Sequence, residues 1–236
     1  MVVIMVIFED RGNILLKEVI EISKNILNKF LNILGLELKR IKSEETKKID
    51  ERWFEKRLNY KSNYSELLDA LDVLINFEDV LDLGSANGFV IDKYVAKGKH
   101  VQGVEISKEV MPFLSDVAKQ RTVFCDATLI GKIGDFDLVT CIEVAEHIPP
   151  ERSNALMDVI AKNASKYVYF TAATPYQKGT GHINCMPHFF WLNGFRKRGL
   201  ELNYDLTEML VDKINNISPC TWLPLNSLIL NVSEKK

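Results

Sequence analysis

A short apolar strand that runs directly into a turn of small residues is the feature that most constrains the fold of this chain. Residues 80–88 read VLDLGSANG, and a helical pattern follows them. As far as residue 171, short apolar runs then alternate with helical stretches, which is typical of βαβ units in a mostly parallel sheet. We predict strands at 80–83, 100–104, 122–125, 136–142 and 167–171, with helices near 88–97, 107–119 and 151–163.

The turn after the first strand and the ends of the next two strands predict a nucleotide site. Gly84 and Gly88 lack the Cβ that would block a ligand, and free amides at the start of a helix favour an anion. Glu105 and Asp126 follow the second and third strands. In open α/β sheets these strand ends face one crevice, where Glu105 can bind ribose hydroxyls and Asp126 an adenine amino group. A glycine turn without a ligand, and acids that start helices, are the structural alternatives.

A nicotinamide-binding site is the main rival for such a turn. Its fingerprint is Gly-x-Gly-x-x-Gly, and this sequence fails at the second glycine, where Ala86 stands. No tyrosine at 167, 169 or 176 has a lysine four residues later, so the Tyr-x-x-x-Lys pair of many dehydrogenases is missing too. The sequence therefore disfavours a dehydrogenase.

Residues 79–173 resemble the class I S-adenosylmethionine-dependent methyltransferases. The resemblance implies a Rossmann-like α/β fold, with a seven-stranded, mostly parallel sheet, helices on both faces and an antiparallel last strand. It implies S-adenosyl-L-methionine as the cofactor, with Glu105 on the ribose, Ile106 packed on adenine, and Asp126 with Ala127 recognising the base. The family commonly has glycine where Ala86 stands. The predicted methionine-end residues are Asp82, Gly84, Ser85, Asn87 and Gly88, and Glu143 completes the cofactor-binding set.

The loop after the fourth strand is predicted to carry the reaction. It places Glu143, Glu146 and His147 within five residues of one another. Methyl transfer to oxygen needs a base for the hydroxyl proton, and the near-neutral pKa of histidine suits that role. The Glu-x-x-Glu-His run resembles small-molecule and glycan methyltransferases, which implies that His147 lies beside the transferred methyl. We predict His147 and Glu146 as catalytic residues; for Glu146, capping of the next helix is the alternative.

A glycine-rich loop after the fifth strand is the second candidate region, because long loops over a crevice are commonly functional. It contains His182 and Asn184, and His188 then opens a helix that is expected to run to residue 198. This segment resembles the His-x-Asn segment of sugar and polyketide methyltransferases. We predict His182, Asn184 and His188 as substrate contacts. A lone histidine that only hydrogen-bonds its own loop is the alternative.

A metal-assisted reaction is a second chemistry for the same loops. Glu143, Glu146, His147 and His182 match the ligand set of metal-assisted O-methyltransferases that act on polyphenols or RNA ends. A divalent ion would lower the pKa of the acceptor hydroxyl directly. Spacing in the sequence does not decide whether these four side chains converge.

The first 76 residues are predicted to form a helical extension before a methyltransferase domain at 77–236. Apolar residues three to four apart at 14–34 indicate an amphipathic helix, and residues 39–61 carry nine basic and five acidic side chains. We interpret 39–61 as a solvated helical connector, and a helix follows over 63–76. Peripheral membrane contact through residues 14–34 is the alternative role for this region. Two further strands, near 200–204 and 227–232, are expected to close one edge of the sheet.

Composition narrows the class of partner. The formal charge is −2 and the pI is near 6.1, so a nucleic-acid partner is not expected. The four cysteines are scattered, and the apolar residues 1–8 lack the features of a signal peptide, which together favour the cytoplasm. We expect methylation of a hydroxyl on a small molecule or glycan. The rival from another class is a non-catalytic, nucleotide-binding scaffold; nothing in the sequence sets the oligomeric state.

Overall fold

The computed structural model of the protein describes residues 49–233, so the predicted helix at 14–34 lies outside the described residues. Within 49–233 the chain forms one seven-stranded sheet. The strands are β1 (Asp79–Leu83), β2 (His100–Glu105), β3 (Thr122–Phe124), β4 (Phe136–Ile142), β5 (Ala164–Thr171), β6 (Leu200–Leu202) and β7 (Leu228–Val232).

The strand order is β3-β2-β1-β4-β5-β7-β6, with parallel pairing from β3 through β5. β7 runs antiparallel to β5 and also to β6, so the last strand is the antiparallel one. This confirms the predicted Rossmann-like sheet and the edge pair. The predicted strand at 200–204 ends two residues early, because the Asn203 side chain caps the next helix by accepting the Leu206 amide at 2.9 Å.

Helices cover both faces of the sheet, as predicted. Val80 and Leu81 are neighbours on β1, yet they belong to different apolar clusters, because successive strand residues point to opposite faces. The described helices are α1 (Glu51–Arg57), α2 (Lys61–Leu74), α3 (Phe89–Ala96), α4 (Asp116–Arg121), α5 (Ser153–Asn163), α6 (His188–Arg196), α7 (Tyr204–Ile214) and α8 (Trp222–Asn226). Among residues 49–233, none of these helices has the length and apolar character needed to cross a bilayer.

The helix predicted at 107–119 is interrupted. A 3-10 helix covers Lys108–Phe113, and α4 begins only at Asp116. Pro112 has no N–H to donate, which disfavours a continuous α-helix through it. Ser115 then starts α4 as its cap, since its Oγ accepts the Ala118 amide at 3.0 Å.

The segment before β1 packs into the core of the sheet. Leu67, Leu68 and Leu71 of α2 are fully buried in the same apolar cluster as Ile91 of α3 and Tyr169 of β5. Their spacing of three to four residues places them on one helical face. The domain boundary predicted at residue 76 therefore falls after a helix that contributes to the core, and the division into extension and domain stays a prediction.

That division can be tested by unfolding. We expect Leu68→Ala to lower the free energy of unfolding of the whole protein by about 2–5 kcal/mol, because it removes a buried side chain and leaves a cavity. Urea unfolding followed by circular dichroism measures it. Leu58→Ala, at a side chain that is 42% exposed, is the matched control. If residues 1–76 are a separate extension, Leu68→Ala will leave the unfolding of the sheet unchanged.

Candidate active site at the carboxyl ends of the strands

The turn after β1 is held tightly by the protein itself. Gly84 and Gly88 have φ of 74° and 72°, a conformation that favours glycine. The Gly84 amide donates to the Val104 carbonyl of β2 at 2.8 Å. A Cβ on Gly84 would overlap the Val144 side chain, and one on Gly88 would lie 2.6 Å from the Ala118 Cβ. Both glycines are thus required by neighbouring protein groups, in addition to any role toward a ligand.

Glu105, at the end of β2, joins this turn to the next loop. Its Oε2 accepts the Ala86 amide at 2.9 Å, and its Oε1 accepts the Ser107 amide at 2.8 Å. An ionised carboxylate has further lone pairs, so both oxygens can still accept bonds from ribose hydroxyls. Ile106 follows and is 68% exposed, as suits a side chain that would pack on a flat base.

Asp126, after β3, is already engaged by protein groups. Its Oδ1 accepts the Thr128 amide at 2.8 Å and the Thr128 hydroxyl at 2.7 Å. Its Oδ2 forms a short ion pair with Arg152, which lies in the loop beyond β4. Ala127 beside it is buried. An adenine amino group would therefore have to share Asp126 with Arg152.

Asp82 is a buried carboxyl at the floor of the turn. Its only recorded hydrogen bond within residues 49–233 comes from the Thr140 hydroxyl of β4, which donates to Oδ1 at 2.7 Å. Burial raises the pKa of Asp82 to about 7, an effect that the Thr140 hydrogen bond only partly offsets. The Ser85 Oγ and Asn87 Oδ1 nearby are buried and have no hydrogen-bond partner among the described residues. These polar atoms fit a site whose ligand supplies the missing bonds.

The loop after β4 contains two glutamates, of which Glu146 is buried and Glu143 is partly exposed. Glu143 has a φ of 55°, its amide donates to the Thr171 Oγ1 at 2.9 Å, and its Oε1 accepts the Asn226 amide group at 3.0 Å. Glu146 is fully buried, and neither of its carboxyl oxygens has a hydrogen-bond partner in the part of the chain that the structure describes. Burial raises the pKa of both carboxyls, and the charge of Glu143 raises that of Glu146 further.

His147 and His182 come together across the two loops. Their ring centroids are 5.1 Å apart. His147 Nδ1 lies 3.1 Å from the Gly181 carbonyl, which can only accept, so Nδ1 carries the proton and Nε2 is left as an acceptor. His182 Nδ1 likewise donates to the Gln177 carbonyl, at 2.9 Å. Burial lowers the pKa of His147 to about 4. The near-neutral pKa expected from the sequence is therefore not found.

Asn184 and His188 occupy different surroundings. The Asn184 side chain is buried and donates to the Ala145 carbonyl at 3.2 Å and to the Ser153 Oγ at 2.9 Å. It therefore ties the β5 loop to the β4 loop. His188 begins α6, and its Nε2 is buried with no hydrogen-bond partner from residues 49–233. Their roles as substrate contacts stay predictions.

Helix α1 contributes to the site, which the sequence patterns did not predict. The prediction of a solvated connector differs from the structure here, since Phe54 is buried and its carbonyl accepts the Asn87 side-chain amide at 3.0 Å. Trp53 lies near the loops, with its ring centroid 6.4 Å from that of His147. One signal could have marked this face in the sequence: an aromatic residue, Trp53, stands four residues before a basic one, Arg57, within a charged stretch.

The fold and these site residues agree with the family comparison. A model described as a methyltransferase domain matches residues 53–206, more than half of the chain. The chain therefore belongs to this methyltransferase family and has the fold of its S-adenosylmethionine-dependent class. The matched segment begins at Trp53, so it includes most of α1 and all of α2.

Similar proteins and structures fit this assignment. Over 85 residues the chain is 31% identical to the ubiquinone biosynthesis O-methyltransferase of Aromatoleum aromaticum, a match that covers 31% of this chain and 35% of that protein. The chain thus spans about a third of the length of the curated relatives it matches.

Solved structures match over a larger share of the chain. Magnesium protoporphyrin IX methyltransferase from Synechocystis PCC 6803, with bound SAH, matches 89% of this chain and 100% of its own, with TM-score 0.53 and 16% identity. A SAM-dependent methyltransferase from Archaeoglobus fulgidus matches 76% of this chain and 99% of its own, with TM-score 0.54 and 17% identity. These likenesses concern the fold.

The burial of Asp82 gives a test of the site without any ligand. Its pKa in the folded protein, about 7, is above the ordinary value of 3.8, so its contribution to stability is present in acid and is lost as pH rises toward 7. Asp82→Asn resembles the protonated form at every pH. We expect it to raise the free energy of unfolding at about pH 8 by up to about 4 kcal/mol, with little effect near pH 4.

Urea unfolding at the two pH values measures this difference. Asp212→Asn, at an exposed residue of α7, is the control for the substitution itself. An equal effect of Asp82→Asn at both pH values would show that the buried carboxyl does not titrate as described.

Proposed function

We propose that this protein transfers a methyl group from S-adenosylmethionine to a hydroxyl of a small molecule or glycan, with His147 as the general base. The observation that carries the proposal is the position of His147 after β4, with Nδ1–H bonded to Gly181 and Nε2 without a protein partner among residues 49–233. The similarity to ubiquinone biosynthesis O-methyltransferases supports oxygen as the acceptor atom.

The residues present fit the cofactor. Glu105 and Ile106 would hold the ribose and the base, and the unpartnered Ser85 and Asn87 oxygens lie where the amino-acid end is expected. Asp126 would contribute to base recognition if Arg152 shares it. Bound S-adenosylmethionine supplies an electrophilic methyl group, so the protein mainly has to align the acceptor and remove its proton.

The proton balance of the step follows from the tautomer of His147. As the acceptor oxygen bonds to the methyl carbon, its O–H proton passes to His147 Nε2, and the electrons of the sulfur–methyl bond stay on sulfur. The Gly181 carbonyl keeps Nδ1 protonated throughout and stabilises the imidazolium that forms. With its pKa near 4, His147 is neutral at physiological pH, so its Nε2 lone pair is free, and the lowered pKa makes it a weaker base than an ordinary histidine.

The direct test is turnover of a His147 variant. We expect His147→Ala to lower kcat by about 10²–10⁴-fold, the usual loss of a general base, with little change in cofactor affinity. Release of S-adenosylhomocysteine from labelled cofactor, with catechols, sugars and fractionated cell extract as acceptors, measures it. His100→Ala, at a half-exposed residue at the start of β2, is the control.

Three other outcomes have distinct meanings. If folded His147→Ala turns over at nearly the wild-type rate while His182→Ala does not, His182 is the base. If wild type binds cofactor but methylates nothing, the protein is a nucleotide-binding scaffold. A nitrogen or carboxylate as the methylated group in the product would contradict the hydroxyl assignment.

A metal-assisted reaction is the second candidate, because one further observation favours it. Ligand atoms of Glu146, His147 and His182 all lie within 4.8 Å of one another. The two unpartnered Glu146 oxygens suit a divalent ion, which would lower the pKa of the acceptor hydroxyl. Glu143, the fourth ligand in the sequence prediction, is not part of this group, and one of its oxygens is bonded to Asn226.

Chelation separates the two candidates. For the metal-free base we expect turnover to survive exhaustive chelation, because no ion is needed to remove the proton. For the metal site, chelation abolishes turnover, Mg²⁺ or Mn²⁺ restores it, and Glu146→Gln weakens binding of Mn²⁺ as measured by electron paramagnetic resonance. Glu109→Gln, at an acid outside these loops, is the control.

Location and partners are proposed from the sequence. Cys141 and Cys220 are buried as free thiols, which agrees with a reducing cytoplasm. A nucleic-acid partner is not part of the proposal. Membrane contact through residues 14–34 stays a prediction outside the described residues.

A further inference from the structure

Asn226, the last residue of α8, reaches the carboxyl edge of the sheet from the C-terminal part of the chain. It is fully buried, and its side-chain amide donates to Glu143 Oε1 at 3.0 Å, across 83 positions of the sequence. Among residues 49–233, no other N–H or hydroxyl group is hydrogen-bonded to this carboxylate. The side chain of Glu143 is therefore oriented from the far end of the chain, and its Oε2 is left for a ligand.

The main chain of Glu143 is held from the same edge. Its φ of 55° lies in the left-handed region, which is uncommon for a residue with a side chain. Its amide donates to the Thr171 Oγ1 at 2.9 Å and to the Thr171 carbonyl at 3.2 Å. The preceding residue, Phe170, pairs with Leu228, two positions after Asn226. Backbone strain that neighbouring groups maintain in this way is common at functional sites.

Asn226 stands at a position where an apolar residue would pack. The adjacent Ser227 hydroxyl donates to the Leu223 carbonyl at 2.7 Å and accepts the Tyr169 hydroxyl at 2.9 Å, so this part of the chain is rigid. The Asn226 Oδ1 is buried, with no hydrogen-bond partner from the described residues. An unsatisfied amide oxygen destabilises a protein core. Its presence here is explained if Glu143 needs the amide N–H.

Glu143 lies where the reacting groups would meet. It follows β4, which pairs with β1 on one side and with β5 on the other. The cofactor of the proposed reaction has a positive sulfur, whereas the sulfur of the product, S-adenosylhomocysteine, is neutral. In a poorly solvated site a nearby carboxylate interacts strongly with such a charge.

We infer that Asn226 is a positioning residue, which holds the Glu143 carboxylate so that it favours the sulfonium of S-adenosylmethionine over the neutral sulfur of S-adenosylhomocysteine. The inference rests on the use of this cofactor in the proposed function, but not on the acceptor or on the base. It extends the site to the antiparallel edge of the sheet and gives that edge a part in replacing spent cofactor by fresh cofactor.

The test measures the ratio of the two affinities. Isothermal titration with S-adenosylmethionine and with S-adenosylhomocysteine is carried out on wild type, Glu143→Gln, Asn226→Leu and the double variant. EDTA is present, so that no divalent ion at the neighbouring Glu146 and the two histidines affects the result. Both ligands report only on folded protein, so a loss of stability cancels in the ratio. Asn226→Ala, which removes the same donor without branching, is measured beside Asn226→Leu.

We expect Glu143→Gln to shift the ratio toward S-adenosylhomocysteine by roughly 10- to 100-fold, the usual range for one interaction with a charged group. Asn226→Leu and Asn226→Ala should shift it in the same direction. The double variant should shift it no further than Glu143→Gln alone, because Asn226 acts through Glu143. Asn231→Leu, at another asparagine with a buried and unpartnered Oδ1 among the described residues, is the matched control on β7 and should keep the wild-type ratio.

Contrary results are distinct. If the Asn226 variants weaken both ligands equally, or leave the ratio unchanged, Asn226 is only structural and the inference is wrong. It is also wrong if Glu143→Gln keeps the wild-type ratio, or if the double variant shifts it well beyond Glu143→Gln. The expected shifts in a protein that methylates no acceptor would contradict the proposed transfer alone. If wild type binds neither ligand, the proposed function fails and the inference fails with it.

Discussion

Parallel pairing of β1 with β2 on one side and with β4 on the other is the constraint on which the site depends. Because the three strands run the same way, their carboxyl ends meet at one edge, where the chain must leave the sheet. Asp82, Glu105 and Glu143 all lie at that edge. The Gly84 and Ser85 amides both donate to the Val104 carbonyl, so the β1 turn continues the pairing by one step beyond the strands.

Several acidic side chains with little exposure to solvent determine the electrostatics of this edge of the sheet. Asp82 and Glu146 are buried and Glu143 is partly buried, and the loss of solvation raises the pKa of each carboxyl. Such groups favour any ligand that brings positive charge, because the charge stabilises their ionised forms. A sulfonium cofactor or a divalent ion would each do so, which is why the same residues suit both of the chemistries considered above. What separates the two is the group of possible metal-ligand atoms around Glu146, which among residues 49–233 includes those of His147 and His182.

The sequence predicted the sheet well because its signals there are local and strong. The alternation of apolar strands with helices, and the turn at Gly84, depend on residues near one another in the chain. The sequence placed His147 and His182 on loops after neighbouring strands, but their contact follows only from the structure. The interruption near Pro112 was missed, although proline is a local signal, because the apolar spacing around it is helical.

Other features could not be predicted, because they depend on contacts distant in sequence. The charges of residues 39–61 suggested a solvated helix, whereas the part from residue 51 packs against a turn more than thirty residues away, through the bond from Asn87 to Phe54. The Asp126–Arg152 ion pair and the bond from Asn226 to Glu143 likewise join distant segments. The depressed pKa of His147 follows from burial by such contacts, which residue type alone does not give.

The loops after β4 and β5 are joined through main-chain bonds. The Glu146 carbonyl accepts the amides of Ile183 at 2.9 Å and Asn184 at 3.0 Å, and the Asn184 side chain bonds back to Ala145. Grafting the β5 loop from a relative in order to change acceptor preference would therefore also displace the loop that holds His147. A transplant that keeps Asn184 and its two neighbours would preserve the hydrogen bonds that join the two loops. Within residues 174–181, the fully exposed Tyr176 can vary more freely than Gln177, Gly179 and Gly181, which contact the two histidines.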